Sequence, residues 1–154
     1  MPIFQPPLLL PSSDDCILID VRFPNVTPEL LYDYFVRPTL AIRWWAPHAD
    51  IHARQGGAFH YVWKDLDLHL RGSFLSVERG AKLAFTWQWD HEKLFGREPR
   101  TVTITFHPCE GGARLHIEHR PFTAQEQNDR AAIAEAWPYY LRRSQSVVVG
   151  APAA

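Results

Sequence analysis

Residues 83–89 have the sequence LAFTWQW, which indicates the type of sheet that this chain forms. Leu83, Phe85, Trp87 and Trp89 alternate with smaller or polar side chains, and this is the period of a β-strand that buries one face. The buried face presents aromatic rings at most of its positions. The segment therefore predicts a strand of an antiparallel sheet with an apolar inner face and a solvated outer face.

The same strand character recurs in segments on both sides of this strand. They are residues 50–54, 56–63, 66–77, 101–107 and 114–119. The alternation places His119 on the apolar face of the last segment. Gly72 lies inside the longest segment and predicts a β-bulge there. Together the segments predict one antiparallel sheet that is wet on one side.

A long helix is predicted near the C-terminus. Thr123 and Glu126 have the spacing of a capping box, and Pro138 predicts a kink because it has no N–H to donate. The stripe on one side of this helix consists of Ile133, Trp137, Leu141, Ser144 and Val148. Because such a stripe packs against another element, we expect the helix to lie across the concave sheet and to enclose a space walled by rings.

The N-terminal half predicts one strand and two short helical segments. Residues 16–23 alternate as a strand, and Thr27 followed by Pro28 is typical of a helix start. Pro38 ends that helix, and a short turn follows at residues 40–45. The predicted organisation is an extended arm over residues 1–13, a single domain over 14–148 and a flexible tail over 149–154.

Composition and charge exclude several classes of protein. The 154 residues fit one domain, and 46% hydrophobic with 21% charged residues argues against a disordered chain. The net charge is −1 and the sequence has no long run of charges of one sign, so no nucleic-acid partner is expected.

The N-terminal segment lacks the basic region and the long apolar run of a signal or anchor, so no membrane insertion is expected. Cys16 and Cys109 form no C-x-x-C pair and predict reduced thiols in a cytoplasmic protein.

Several motifs, taken as an ordered set, resemble a known superfamily. They are RWWAP at residues 43–47, GGAF at 56–59, Gly72, residues 83–89, the strand pair over 101–120 and AWPYYL at 136–141. Over residues 14–147 the set is similar to the START-like SRPBCC superfamily, in the branch that resembles the activator of the heat-shock-protein-90 ATPase. Ser144 and Arg114 depart from the pattern, since the family often has Leu and Thr there.

The resemblance implies an α+β helix-grip fold of the START/Bet v type. In that fold a curved antiparallel sheet surrounds a long C-terminal helix, two short helices lie near the N-terminus, and a cavity separates helix and sheet. Full-length chaperone activators carry an additional domain that these 154 residues do not contain. Fold likeness alone does not establish chaperone activation.

The residues expected to bind a ligand are mostly aromatic. They are Trp44, Trp45, Tyr61, Trp63, Trp87, Trp89, His119, Trp137, Tyr140 and Leu141. Any single ring in this set has an alternative role as core filling. As a set, Trp and Tyr suit a partly wet pocket better than a dry core, because each carries a polar group that needs a partner. His119 is expected to hydrogen-bond either a ligand or the backbone.

The sequence predicts no metal, no cofactor and no catalytic motif. His48 and His52 are four residues apart, but they follow Pro47 in an extended segment and would not project together as zinc ligands. There is no nucleophile elbow, phosphate loop or dinucleotide glycine pattern. The resemblance nevertheless leaves open a cyclase or hydrolase using the same cavity, and then Tyr61, His119 and Asp50 would move protons.

The loop over residues 90–100 is long for a hairpin connection. Leu94 and Phe95 stand beside Gly96 in this loop, and loops of this length include active-site lids as well as plain surface loops. As a lid, the loop would use Phe95 to control ligand entry.

Three functional hypotheses follow from these features. The leading one is a cytoplasmic protein that holds an apolar or aromatic small molecule between sheet and helix. The second is a protein-interaction module related to chaperone ATPase activators, with a filled interior. The third is an enzyme that uses the cavity. The sequence does not decide the ligand or the oligomeric state.

Overall fold

Eight strands form one antiparallel sheet in the computed structural model, which describes residues 5–94 and 96–149. The strands are β1 (Leu8–Leu10), β2 (Ile17–Pro24), β3 (His48–Ile51), β4 (Ala58–Trp63), β5 (Leu68–Glu78), β6 (Lys82–Trp89), β7 (Arg100–Cys109) and β8 (Gly112–Arg120). Their order across the sheet is β1-β2-β8-β7-β6-β5-β4-β3. Every neighbouring pair is antiparallel, which confirms the predicted sheet.

Three helices complete the α+β helix-grip fold over the described residues. They are α1 (Pro28–Val36), α2 (Pro38–Ala41) and α3 (Gln127–Val149). The Thr27 hydroxyl accepts the amide of Leu30 at 3.1 Å, as the predicted cap requires. Arg37 is extended because it precedes Pro38, so α1 ends where predicted. The second short helix starts at Pro38 itself and not at residue 40, since proline fits the first turn of a helix.

The core lies between the concave face of the sheet and the helices. On β8, Leu115, Ile117 and His119 are buried, and the residues between them face outward and are only partly buried. Ile117 stands opposite Ile104 on β7 and Ile19 on β2. The alternation in the sequence therefore predicts the inner face of β8 correctly.

The N-terminal segment predicted as an arm contains a strand. In β1, Leu9 pairs with Ile19, so β1 is an edge of the sheet. Leu8 and Leu9 are 58% and 53% exposed. At the other end of the chain, α3 continues to Val149, the first residue of the predicted tail, and residues 150–154 lie outside the described part of the chain.

The bulge predicted at Gly72 is wrong in position. The register of β5 against β6 shifts between Phe74 and Ser76, so the extra residue is Leu75. Gly72 serves a different purpose. A Cβ there would lie 2.0 Å from the carbonyl oxygen of Thr86 on β6 and 2.5 Å from the ring of Phe59 on β4. The backbone of β5 can approach these groups so closely only because glycine has no side chain.

The positions of β5 and β3 also differ from the sequence prediction. β5 begins at Leu68, because Lys64–Leu66 forms a 3₁₀ turn that ends at Asp67 with φ of 50°. β3 covers His48–Ile51 and not residues 50–54, because the chain turns at residues 52–57, where the Gly57 amide bonds the Arg54 carbonyl at 2.8 Å.

The 3₁₀ turn Ala124–Glu126, which leads into α3, carries the predicted capping box of Thr123 and Glu126. The Glu126 carboxylate accepts the amide of Thr123 at 3.0 Å, while the Glu126 amide bonds the Thr123 backbone carbonyl at 3.0 Å. The helical stretch then runs through Pro138. Trp137, Leu141, Ser144 and Val148 are buried against the sheet side, as the predicted stripe requires.

Candidate functional site

A pocket of about 570 Å³ lies between α3 and the sheet. Its apolar lining consists of Trp45, Trp63, Leu66, Leu68, Trp87, Trp89, Ala132, Ile133, Ala136, Trp137 and Tyr140. We call this the aromatic pocket. Its volume lies within the range of small-molecule sites in proteins. The sheet supplies large rings, and α3 supplies the small side chains of Ala132 and Ala136, which leave the space open.

Trp45 is the central ring of the pocket wall. Its ring centroid lies 4.5 Å from that of Tyr61, 5.9 Å from Trp87 and 6.1 Å from Trp137. These rings come from the segment before β3, from β4, from β6 and from α3, so they tie four parts of the chain together. Ring pairs at such separations attract each other beyond their burial, so these contacts stabilise the pocket wall.

The structure places six of the ten predicted site residues in the pocket lining and four outside it. Those in the lining are Trp45, Trp63, Trp87, Trp89, Trp137 and Tyr140. Trp44 is fully buried in the core, where its indole N–H donates to the Tyr34 carbonyl at 2.8 Å. Leu141 is also fully buried.

Tyr61 lies beneath Trp45, and its hydroxyl is 3.5 Å from the Phe35 carbonyl. Burial raises the pKa of Tyr61 well above its ordinary value, which disfavours proton release. Asp50 is 76% exposed on β3 and stands 3.3 Å from His52. The geometry therefore does not bring Tyr61, His119 and Asp50 together as proton-transfer groups.

His119 forms the layer behind the pocket wall. It is fully buried, and its Nδ1 accepts the indole N–H of Trp137 at 3.0 Å. Its ring also packs against Trp87, with centroids 4.7 Å apart. Burial, together with the nearby Arg100 and Arg97, lowers the pKa of His119 well below its ordinary value. The imidazole is therefore neutral and bonded to a side chain, not to the backbone.

One end of the pocket is polar, and the sequence prediction missed it. The polar lining residues are His91, Glu92, Lys93, Arg100 and Asp129. The Arg100 guanidinium donates to Glu92 and, at 2.8 Å, to Glu126. Arg97 donates two hydrogen bonds to Glu126, at 2.7 Å and 2.6 Å.

This ion network is almost completely buried. The side chains of Arg100 and Glu126 are each 1% exposed. Hydrogen bonds from Arg97 lower the pKa of Glu126 to about 2, while burial lowers the pKa of Arg100. Both guanidinium groups are paired with the buried carboxylates of Glu92 and Glu126, and the partly exposed Asp129 lies 3.8 Å from Arg100. The network closes one end of the pocket without leaving a free guanidinium for an anionic ligand.

The network also fixes the loop over residues 90–100. Glu92 and Arg97 belong to this loop, and both bond to partners at the start of β7 or α3. The loop thus supplies part of the pocket wall. Phe95, the residue expected to act in a lid, lies outside the described residues, and gating by this loop stays a prediction.

A signal for Arg100 was present in the sequence. Arg100 continues the inward alternation of Val102, Ile104 and Phe106, so β7 extends one residue further and places a charge on the apolar face. A charge at such a position requires a buried partner. The alanines of α3 and the leucines beside the 3₁₀ turn carried no comparable signal, because small or apolar residues are common everywhere.

Two kinds of site are not seen in the described part of the chain. No group of three metal-ligating side chains occurs among residues 5–94 and 96–149. Within the same residues, no helix combines the length and the apolar character needed to cross a membrane.

Solved structures of similar fold come from several bacteria. A protein from Rhodobacter sphaeroides superposes with a TM-score of 0.84 at 20% identity, covering 96% of this chain and 100% of that one. A protein from Mesorhizobium loti gives 0.77 at 21% identity, with 86% and 96% covered. CalU16 from Micromonospora echinospora gives 0.69 at 18% identity, with 88% and 76% covered. At these identities the likeness concerns the fold.

Sequence comparison places the chain in a family. No curated protein sequence matches it significantly. The family model described as Activator of Hsp90 ATPase homolog 1-like protein matches residues 25–148, a range that runs from just before α1 almost to the end of α3. The chain therefore belongs to the family of Activator of Hsp90 ATPase homolog 1-like proteins.

Proposed function

We propose that this protein binds a flat apolar or aromatic small molecule in the aromatic pocket. The observation that carries the proposal is the unfilled space of about 570 Å³ against the rings of Trp45, Trp87 and Trp137. A protein interior is normally close-packed. Space of this size beside stacked rings is the usual form of a small-molecule site.

Partial burial of several rings supports the same conclusion. Trp63, Trp89 and Tyr140 line the pocket and are only half-buried. Burial of apolar surface stabilises a protein or complex by about 25 cal/mol per Å². An apolar ligand that covers these rings would recover that free energy, and the ring faces would favour a flat molecule over a branched one.

The polar end of the pocket sets the orientation of the ligand. Glu92 and Arg100 are bonded within the ion network and offer no strong free charge. The apolar part of a ligand would thus lie among the indoles, and its more polar end would face His91 and Lys93, whose residues are exposed. Cys16 and Cys109 are free thiols, which supports the expected cytoplasmic location.

A second function, as a protein-interaction module, is supported by one observation. Leu8 and Leu9 lie exposed on the edge strand β1, and edge strands with apolar side chains can pair with another chain. The family description names activation of a chaperone ATPase. This function does not need an open pocket, so pocket occupancy separates the two proposals.

Native mass spectrometry and probe titration test the leading proposal. The purified protein is measured intact and then extracted with organic solvent, and the extract is analysed for small molecules. In parallel the protein is titrated with N-phenyl-1-naphthylamine, an aromatic probe that fluoresces when it leaves water. We expect a retained small molecule or saturable one-to-one probe binding. The absence of both would overturn the proposal and favour the interaction module.

A further inference from the structure

Among the described residues, the carboxylates that line the polar end of the aromatic pocket belong to Glu92 and Asp129. The side chain of Glu92 is 6% exposed and accepts hydrogen bonds from Arg100 Nη1 and, at 3.3 Å, from Arg97 Nη2. The side chain of Asp129 is 59% exposed and stands 3.8 Å from Arg100, beyond hydrogen-bond distance. Glu92 is therefore the lining carboxylate that is bonded to both arginines.

The second carboxylate of the ion network, Glu126, does not line the pocket. It accepts hydrogen bonds from both arginines and from the amide of Thr123. Glu126 alone cannot balance two buried guanidinium groups. Without Glu92, the pocket would therefore end in one excess positive charge, and Arg100, which is a lining residue, would present it.

Two guanidinium groups with one positive charge in excess form a strong binding site for a carboxylate. Glu92 supplies that carboxylate from the protein itself, on the loop that joins β6 and β7. We propose that Glu92 occupies the position that a ligand carboxylate would take, and so restricts the aromatic pocket to uncharged ligands. The inference rests on the proposed function and deepens it, because it names the charge class of the ligand and the residue that selects it.

An acidic ligand would gain little at this end of the pocket. Its carboxylate would lose hydration beside the indole rings and would meet the negative charge of Glu92, while both guanidinium groups are already paired. Lys93 also lines the pocket, but it is exposed, and an ion pair with an exposed lysine contributes little. A neutral carbonyl or amide group loses less hydration, so an uncharged ligand is favoured.

Two probes of matched shape test this selectivity. At neutral pH 2-naphthoate is an anion, whereas 2-naphthamide has nearly the same shape and no charge. Their dissociation constants for the wild-type protein are measured by isothermal titration calorimetry. We expect the amide to bind at least about tenfold more tightly than the acid. Equal affinity for the two probes, or tighter binding of the acid, would overturn the inference.

Variants of Glu92 show whether this residue causes the preference. Glu92→Ala vacates the carboxylate position beside Arg97 and Arg100, so 2-naphthoate should bind it at least about tenfold more tightly than it binds the wild-type protein. Glu92→Gln removes the charge but keeps the side-chain volume, and it should narrow the preference for the amide several-fold. Asp129→Asn is the matched control, because it removes an exposed carboxylate at the same end, and it should change the preference by less than about twofold.

Thermal melts of Glu92→Ala give a second measurement. Its melting temperature should fall, because a buried guanidinium loses its partner. Saturating 2-naphthoate should restore part of the loss, since a ligand that binds only the folded state stabilises that state, and 2-naphthamide should restore less. If Glu92→Ala does not fold, the preference measured for Glu92→Gln decides, and a value equal to that of the wild type would overturn the role of Glu92.

The outcomes distinguish the inference from the function on which it rests. If 2-naphthamide binds and the preference is unchanged in both Glu92 variants, the role of Glu92 is refuted while the aromatic pocket stands. An equal change in Asp129→Asn would also refute it, since any nearby carboxylate would then have the same effect. If neither naphthalene probe nor N-phenyl-1-naphthylamine binds the wild-type protein, the pocket function itself is overturned.

Discussion

Arg97 and Glu126 are joined by two parallel hydrogen bonds, from Nε at 2.7 Å and from Nη2 at 2.6 Å. Arg97 belongs to the loop after β6, and Glu126 belongs to the turn that leads into α3. Their side chains are 8% and 1% exposed. This pair therefore attaches the loop to the helix at the polar end of the aromatic pocket, and several expectations depend on it.

Replacing Glu126 by glutamine should destabilise the fold strongly. Glu126→Gln keeps the side-chain shape but leaves the guanidinium groups of Arg97 and Arg100 without their shared carboxylate. Removing one partner of a buried ion pair costs about 3 kcal/mol or more in the free energy of unfolding, measured by urea unfolding at neutral pH. Glu98→Gln changes the same charge on an exposed residue of the loop and should change stability little. Equal effects of both variants would contradict the structural role of the network.

The lowered pKa of Glu126 predicts how the free energy of unfolding changes at acid pH. The pKa of Glu126 falls from 4.5 to about 2 on folding, chiefly through hydrogen bonds from Arg97. Its contribution is fully present above the unfolded value and is lost as the pH falls towards about 2, in total roughly 3 kcal/mol. The stability difference between wild type and Glu126→Gln should therefore shrink between about pH 4.5 and about pH 2. A constant difference over that range would show that Glu126 is not held ionised by its partners.

His119 should remain neutral when ordinary histidines gain a proton. Its pKa is lowered well below 6.5 by burial, so the folded state resists protonation while the unfolded chain accepts it. The resulting loss of stability sets in as the pH falls below about 6.5. Nitrogen-15 NMR should show a neutral ring with its proton on Nε2, unchanged from about pH 8 to about pH 5. A midpoint near 6.5, or a proton on Nδ1, would contradict the bond from Trp137.

Gly72 should not tolerate even alanine. The added methyl group would stand 2.0 Å from the Thr86 carbonyl oxygen and 2.5 Å from the Phe59 ring, so β5 and β6 must separate. We expect Gly72→Ala to cost about 3 kcal/mol in the free energy of unfolding, which is at the upper end of overpacking changes. Ser73→Ala alters the next, exposed position and serves as the control in the same thermal melts. Equal melting temperatures for the two variants would refute the close approach.

The sheet could be predicted from the sequence because its evidence is local. Alternation of period two fixes which side chains share a face, and Trp87, Trp89 and His119 face inward as that rule requires. The helix stripe over Trp137 and Leu141 followed from helical spacing in the same way. Trp87, Trp89 and Trp137 of the pocket wall could therefore be predicted from the sequence alone.

The remaining parts of the site depend on tertiary contacts. Trp44 and Trp45 are adjacent, and only the packed structure decides that Trp44 enters the core while Trp45 lines the pocket. The Arg97–Glu126 pair joins residues 29 apart in the chain, and no local pattern in the sequence predicts a partner at that distance. Tyr61 and Trp63 were both expected to bind a ligand, but Tyr61 lies under Trp45, because the depth of a side chain depends on what covers it.

A cavity-filling substitution tests the central claim, binding inside the aromatic pocket, most directly. Ala136 lines the pocket from α3, whereas Ala131 on the same helix is exposed and does not line it. Binding of N-phenyl-1-naphthylamine is measured for Ala136→Phe and for Ala131→Phe, with thermal melts to confirm that both are folded. We expect Ala136→Phe to weaken probe binding at least about tenfold and Ala131→Phe to bind as the wild type does. Equal binding by a folded Ala136→Phe would contradict the claim that the ligand lies between the C-terminal helix and the sheet.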